Sequence, residues 1–231
     1  MKFIRKGKEP SALRAWRLKQ KSSPQNLVYE AIDGDALGKV REALLLEQGY
    51  LCAYTMLRIA SPNDGHLEHI IAQSKSHGSD WSVRFSNMVY CHPGKDAPRS
   101  DFGAHCKDGR TTSQADFVSP LDKTCETRFV FERDGSVAAA RLDDVAARKT
   151  IVTLNLDCRL LQQARAAAIG RLPISSATGR RCSAKQAQRL ARELLEADAE
   201  GKFQTFAVAL AQIAARYAIR QAAKEAALSA P

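Results

Sequence analysis

Three residues near the middle of the chain could together activate a water molecule. Glu68 and His69 are adjacent, and Asn87 follows 18 residues after the histidine. A neutral imidazole can take a proton from water near pH 7, because its ordinary pKa is about 6.5. Mg²⁺ prefers a few oxygen ligands and leaves the rest of its coordination shell to water and phosphate. We therefore predict that His69 is a general base and that Glu68 and Asn87 bind a divalent cation.

Other side chains capable of chemistry are concentrated around these residues. All five histidines of the chain lie within residues 52–106, together with Cys52, Cys91 and Cys106. The remaining three cysteines lie outside this window, and we expect them to pack as small hydrophobic residues. The window 52–106 is therefore the predicted location of the site.

The order of an acidic residue, a histidine and a later asparagine is that of the HNH, or ββα-metal, nuclease site, which this segment resembles. The motifs that carry the resemblance are Cys-Ala-Tyr at 52–54, His-Leu-Glu-His at 66–69, Asn-Met-Val-Tyr-Cys at 87–91 and His-Cys at 105–106. Together with the start Met-Lys-Phe-Ile-Arg-Lys-Gly-Lys-Glu-Pro, they are similar to the HNH endonucleases of retron and Septu defence systems, the PtuB-like family. The resemblance covers most of residues 1–165.

This resemblance implies an endonuclease that uses Mg²⁺ or Mn²⁺ to hydrolyse phosphodiester bonds in nucleic acid, with DNA favoured. It implies an antiphage role with a PtuA-like partner ATPase of the ABC or SMC type. In retron systems it also implies a reverse transcriptase with its RNA–DNA hybrid. The chain has no Gly-x-x-x-x-Gly-Lys-Ser/Thr phosphate loop, so any ATP hydrolysis would come from another subunit.

The resemblance also implies a structural zinc ion. HNH nucleases often hold zinc with two pairs of cysteines, and Cys52, Cys91 and Cys106 stand at three of the matching positions. Thr55 occupies the fourth position and is a poor ligand for zinc, which requires four. Either a histidine completes the site, or the site holds no metal and ordinary packing stabilises it. The candidate histidines are His66, His92 and His105.

Three residues near the motif are candidates for contacts with nucleic acid: His66, Lys107 and Arg110. His105 and Lys107 lie where some HNH nucleases have their third signature residue, and either Lys107 or Arg110 could contact the scissile phosphate. His66 could form a hydrogen bond within the site or orient the substrate, although a strand-edge histidine without a role is an equal alternative. Asp108 could be a further metal ligand, but an aspartate in Lys-Asp-Gly-Arg is more often a turn residue.

Composition and charge are consistent with a protein that binds a polyanion. The chain of 231 residues is 45% hydrophobic and 26% charged, as in ordinary soluble proteins, and has a formal net charge of +10. Residues 1–21 and 155–231 carry most of the excess positive charge. Such basic ends suit nucleic acid, although a solvated basic surface is an equal interpretation of charge alone. No apolar run approaches the roughly 20 residues that a membrane-spanning helix requires, and no secretory signal is visible. We therefore expect no membrane contact and a cytoplasmic protein with reduced cysteines.

The pattern of elements predicts an α+β fold in which a ββα-metal (HNH) core is embedded in a mainly helical protein. We expect a basic arm and helix at 1–48, the core at 49–112, a hairpin and helices packed on the core at 113–170, and a helical region at 171–231. The site hairpin is predicted to pair residues 50–60 with residues 66–72, and the resemblance to HNH nucleases implies that the second strand ends at Glu68-His69.

Further elements follow from turn and capping signals. A second hairpin is predicted around Asp134-Gly135, and Asp35 is expected to cap a helix that ends near Gly49. The last two helices are predicted at 183–199 and 203–228.

Two alternative functions are compatible with these residues. A degenerate HNH fold would bind nucleic acid without cutting it. A scaffold or regulatory subunit is the other alternative, in which the long alanine-rich helix at 203–228 would bind a partner. Packing of that helix on its own domain is the simpler interpretation of its apolar stripe.

Overall fold

A computed structural model of the protein describes residues 1–72, 80–107, 115–174 and 182–228. Within these ranges the fold is α+β, with seven α-helices and two two-stranded antiparallel sheets. In chain order the elements are α1 (Ser11–Lys19), α2 (Gly34–Glu47), β1 (His66–His69), β2 (Met88–Cys91), α3 (Ala104–Lys107), β3 (Phe129–Phe131), β4 (Val137–Ala139), α4 (Val145–Thr153), α5 (Arg159–Gly170), α6 (Ala184–Glu193) and α7 (Ala207–Leu228). No helix in these ranges is both long and apolar enough to cross a membrane.

Helix α2 leads directly into the predicted site window. The side chain of Asp33 accepts a hydrogen bond from the Ala36 N–H at 2.8 Å, so the cap lies two residues before the predicted Asp35. The helix ends where Gly49 adopts a φ of 56°, which glycine tolerates without strain. The predicted end of the helix is therefore confirmed.

The segment after α2 is not the strand predicted at 50–60. Only Leu51 and Arg58 pair, in an isolated antiparallel bridge. Tyr50 and Met56 both have positive φ angles, 60° and 61°, which reverse the chain after a few residues. The segment is consequently a tight turn, too short to supply a strand to the site hairpin.

Strand β1 instead pairs with β2, so the predicted hairpin partner was wrong. Glu68 lies opposite Val89, and His69 lies opposite Met88, in an antiparallel ladder. The local turn signal at 61–65 forms a capped 3₁₀ turn and not a hairpin. Strand β1 ends at His69, as predicted, and α3 follows β2 in the chain.

The second hairpin, β3–β4, has the predicted Asp134-Gly135 turn. Gly135 has a φ of 85°, and a Cβ atom there would lie 2.0 Å from the carbonyl oxygen of Gln162 in α5. The buried guanidinium of Arg165 donates a hydrogen bond to the Gly135 carbonyl at 2.5 Å. The turn therefore requires glycine both for its backbone conformation and for its contact with α5.

The N-terminal arm packs against the rest of the protein. Lys2 pairs with Glu126 at 3.1 Å, and Lys6 pairs with Glu47 at 2.5 Å. The ammonium of Lys6 also donates a hydrogen bond to the carbonyl of Met88 in the site hairpin. These two lysines thus hold the N-terminal arm in place.

The last two helices, α6 and α7, pack against each other, and each buries part of its apolar face. The hydroxyl and backbone of Ser183 form a capping box at the start of α6, as predicted, but this helix ends before residue 199. Phe206 has a φ of 59°, so α7 starts after it and not near residue 203. The buried residues of α7 include Val208, Leu210 and Ile213. They share one hydrophobic core with side chains from all four predicted segments.

Candidate functional site

His69 is held at the end of β1 in an orientation that determines its tautomer. Its Nε2 lies 2.8 Å from the backbone carbonyl oxygen of Ser82, and its ring meets the Tyr29 ring edge-to-face at 5.2 Å. A carbonyl oxygen only accepts hydrogen bonds, so Nε2 carries the proton and Nδ1 carries the lone pair. Burial lowers the pKa of His69 below its usual value, although the Ser82 carbonyl opposes this shift. His69 is therefore a neutral imidazole near pH 7, with Nδ1 as its basic atom.

Asn87 joins the two loop segments that surround His69. Its Oδ1 accepts a hydrogen bond from the Ile71 N–H at 2.8 Å, and its Nδ2 donates to the carbonyls of Ile71 and Trp81 at 3.1 and 3.0 Å. The side chain is buried. Since Trp81 precedes Ser82, Asn87 also positions the carbonyl that binds His69. The amide oxygen, a predicted cation ligand, is already engaged by a backbone N–H.

Glu68 points away from His69, as successive residues of a strand do, and meets α3. The Nζ of Lys107 lies 2.7 Å from Oε1 of Glu68, and it also donates a hydrogen bond to the carbonyl of His69. Lys107 is only 1% exposed, whereas the Glu68 side chain is 23% exposed. The structure thus gives Lys107 an internal ion pair, in contrast to the predicted surface contact with phosphate.

Two of the candidate histidines stack on each other on the same side of β1 as Glu68. The rings of His66 and His105 are 5.0 Å apart and nearly parallel. Nδ1 of His66 lies 2.6 Å from the carbonyl oxygen of Pro93, and Nδ1 of His105 accepts a hydrogen bond from the Ser100 N–H. Both rings are partly exposed, so a contact of His66 with nucleic acid stays a prediction.

The structure brings together two of the three predicted zinc ligands. The thiols of Cys52 and Cys91 are buried in hydrogen-bond contact with each other, and Thr55 lies beside Cys52. Burial raises the pKa of the Cys91 thiol well above its usual value. Cys106 lies on α3, and all six cysteines lack a disulfide bond. In the part of the chain that the structure describes, no three His, Cys, Asp or Glu side chains are arranged to hold a metal ion. The zinc site stays a prediction.

Two further candidates lie outside the described residues. These are Arg110, a predicted contact with nucleic acid, and Asp108, a possible metal ligand. Their predicted roles stay predictions.

Sequence reasoning missed three residues that support the general base. Ser82 acts through its backbone carbonyl, so its side-chain type carries no signal. Tyr29 is distant in the chain and contacts His69 only in the folded protein. The exposed ring of Trp81 could have been noticed, because it lies between the predicted base and Asn87 in the sequence.

Comparison with known proteins gives no identification. No protein-family model matches the chain, and no curated protein matches it significantly.

Proposed function

We propose that this protein is a metal-dependent endonuclease of the HNH type that hydrolyses phosphodiester bonds in nucleic acid, with DNA favoured. The hydrogen bond from Nε2 of His69 to the Ser82 carbonyl carries the proposal, since it leaves Nδ1 as a neutral base. The order of β1, β2 and α3 around this histidine supports a ββα arrangement.

In the proposed reaction, Nδ1 of His69 takes a proton from the attacking water. The oxygen of that water bonds to phosphorus while the bond from phosphorus to the leaving O3′ breaks. The Ser82 carbonyl stabilises the imidazolium that forms, because it accepts a hydrogen bond from Nε2. Asn87 keeps this carbonyl in place through its bonds to the two loop segments.

Glu68 is the residue that fits a divalent cation. Its carboxylate is partly exposed, and Mg²⁺ is often bound by only one or two carboxylates together with water and substrate phosphate. When bound, Mg²⁺ or Mn²⁺ would neutralise charge on the phosphate and on the leaving oxygen. Asn87 fits this role less well, because its amide oxygen is engaged by the Ile71 N–H.

Lys107 adds a fixed positive charge beside Glu68. Its ammonium balances the carboxylate, so the site does not present an isolated negative charge to a phosphate. Its bond to the His69 carbonyl also fixes the end of β1 next to the base.

The wider biological role rests on the motif resemblance. On this basis we propose a role in antiphage defence together with a PtuA-like ATPase partner. In a retron system, a reverse transcriptase with its RNA–DNA hybrid would be a further partner. The resemblance also supports a structural zinc ion.

The second candidate function is an HNH fold that binds nucleic acid without cutting it. The ion pair of Lys107 with Glu68 favours that candidate, because the Lys107 ammonium pairs with the carboxylate that is predicted to bind the metal ion.

Cleavage by the purified protein tests the proposal. Plasmid DNA and tRNA are incubated with Mg²⁺ or Mn²⁺, with EDTA, and with the His69→Ala variant. We expect metal-dependent cleavage that falls by about 10²- to 10⁴-fold in His69→Ala, as for the loss of a general base. Lys224→Ala is the control, because it removes an exposed side chain from α7 that has no part in the proposed site, and it should retain most activity. Cleavage that survives EDTA, or that is equal in both variants, would refute the proposal. Binding without cleavage would favour the second candidate.

A further inference from the structure

A groove of about 960 Å³ lies beside the proposed base, on the side of the Asn87 loop. Its walls include Ile70 and Ile71, which directly follow His69, and the aromatic rings of Trp81 and Phe117. The volume is within the range of about 300–1,000 Å³ that is usual for small-molecule sites. The groove is thus large enough for an aromatic ligand, and its walls are largely apolar.

Trp81 connects this groove to the general base. Trp81 is 36% exposed. It belongs to the short 3₁₀ turn Asp80–Val83, and the carbonyl of Ser82 in the same turn binds His69. The Trp81 carbonyl itself accepts a hydrogen bond from Asn87. The position of the ring is therefore coupled to that of the base through adjacent backbone groups.

Arg84 supports one face of the Trp81 ring. Its guanidinium carbon lies 4.6 Å from the ring centroid, and Asp80 holds the guanidinium at 2.5–2.6 Å. Arg84 lines a separate, smaller cavity with Arg17, whereas Trp81 lines the groove. The ring consequently lies between a fixed cation and the groove, an arrangement that suits it for stacking with a second planar group.

One exposed cation lines the groove. Its charged lining residues are Asp122, Lys123 and Arg128, and Asp122 lies 3.7 Å from Arg128. Arg128 is engaged by Asp144 at 2.5 Å. The exposed ammonium of Lys123 is then the cation at this groove that a phosphate would meet.

We propose that this groove binds an unpaired nucleobase of single-stranded nucleic acid, with the base stacked on Trp81 and the adjoining phosphate near Lys123. The inference rests on the proposed nuclease function and names its substrate class. A single strand presents its bases without a prior step, whereas a duplex must extrude one from its stack. The recognised group is common to DNA and RNA, so both are tested.

Fluorescence of Trp81 gives a direct test that does not depend on cleavage. The chain has two tryptophans, and the other, Trp16, is buried. In the Trp16→Phe variant, Trp81 is the only tryptophan. It is titrated in EDTA with oligo(dT), oligo(U), an abasic strand of equal length and a blunt duplex. We expect saturable quenching by the two base-bearing strands, no quenching by the abasic strand, and at least tenfold weaker binding of the duplex.

Affinity measurements on the protein with Trp16 intact provide the second readout. By anisotropy of a labelled oligo(dT), Trp81→Ala should weaken binding by about 10- to 100-fold, as for the loss of one stacked base. Trp81→Phe should retain most affinity, and Lys123→Ala should weaken binding and reduce its salt dependence. Lys224→Ala, which removes an exposed lysine from α7, is the matched control and should change neither.

Unchanged affinity in Trp81→Ala, quenching by the abasic strand, or tighter binding of the duplex would each overturn the inference. The His69→Ala variant separates this outcome from failure of the proposed function. Normal binding of oligo(dT) by a protein that cuts no substrate would support the groove and refute the nuclease. If His69→Ala abolishes cleavage, and Trp81→Ala changes neither cleavage nor binding of oligo(dT), the proposal for the groove alone would be refuted.

Discussion

Nε2 of His69 lies 2.8 Å from the backbone carbonyl oxygen of Ser82. Because the acceptor is a backbone atom, no side-chain substitution at Ser82 can remove it. The orientation of the imidazole therefore depends on the groups that hold the ring and the loop. These groups are Tyr29, on one side of the ring, and Asn87, which binds the loop backbone.

Tyr29 is predicted to position the imidazole through its ring. The rings of Tyr29 and His69 meet at 84°, so removal of the phenol ring would free one side of the base. We expect Tyr29→Ala to lower kcat by about 10- to 100-fold with little change in KM, because a small misplacement of a reacting group has effects of this size. Tyr29→Phe keeps the ring and should retain most of kcat. Equal losses in the two variants would attribute the role to the hydroxyl and contradict the prediction.

Asn87→Asp distinguishes a loop clamp from a metal ligand. Aspartate keeps an oxygen at this position and is the better ligand for Mg²⁺, but it cannot donate to the carbonyls of Ile71 and Trp81. We expect the variant to lose about 1–3 kcal/mol of unfolding free energy, since buried carbonyls lose their partners, and to lose most cleavage activity. Urea unfolding and Mn²⁺ titration are the measurements. Retained stability together with tighter Mn²⁺ binding would instead identify Asn87 as a ligand.

The end of strand β1 at His69 followed from the motif resemblance. The Asp134-Gly135 turn and the cap at Ser183, both outside the site, could be predicted from residues that are neighbours in the chain. These features were correct because turn and capping chemistry acts over a few residues.

Contacts between distant segments were less accessible from the sequence. The turn signal at 61–65 indicated the wrong partner for β1, whereas the actual partner, β2, begins 19 residues after β1 ends. The burial of Lys107 and its pairing with Glu68 depend on the packing of α3 over β1. The backbone interaction of Ser82 with His69 has no side-chain signature. Tertiary geometry decided each of these features.

The ion pair of Lys107 with Glu68 is predicted to stabilise the site hairpin. Lys107→Met removes a buried cation and leaves the Glu68 carboxylate without its ion-pair partner. We therefore expect the unfolding free energy to fall by about 2–3 kcal/mol. In the double variant with Glu68→Gln, about 1–2 kcal/mol of this loss should be recovered, because no unpaired charge remains. Urea unfolding of the four proteins gives the coupling energy. Additive effects would show that the two side chains do not interact in solution.

Asp144 provides a test of pH dependence remote from the site. Its carboxylate binds Arg128 at 2.5 Å and accepts the cap hydrogen bond from the Ala147 N–H, and the Arg128 guanidinium holds the pKa of Asp144 below its usual 3.8. A carboxyl whose pKa is lower in the folded state stabilises the protein above the unfolded pKa, and this contribution is lost as pH falls. Asp144→Asn should therefore destabilise the protein by about 1 kcal/mol at pH 7.

The destabilisation should shrink as pH falls through the range below about 4, where the unfolded carboxyl becomes protonated. Urea unfolding of wild type and variant at pH 7 and at pH 3.5 measures this change. A difference that is constant with pH would mean that the charge of Asp144 contributes nothing and that only its cap matters.

Helix α7 offers a matched pair that separates core packing from partner binding. Ile213 is 1% exposed in the shared core, and Ile219 on the same helix is 71% exposed. We expect Ile213→Ala to lower the unfolding free energy by about 2–5 kcal/mol, because it leaves a cavity, and Ile219→Ala to change it by less than about 0.5 kcal/mol. Chemical unfolding checks both values. If Ile213→Ala were as mild as Ile219→Ala, the apolar face of α7 would not be part of the core. The scaffold alternative, in which that face binds a partner, would then be the better explanation of its alanine-rich stripe.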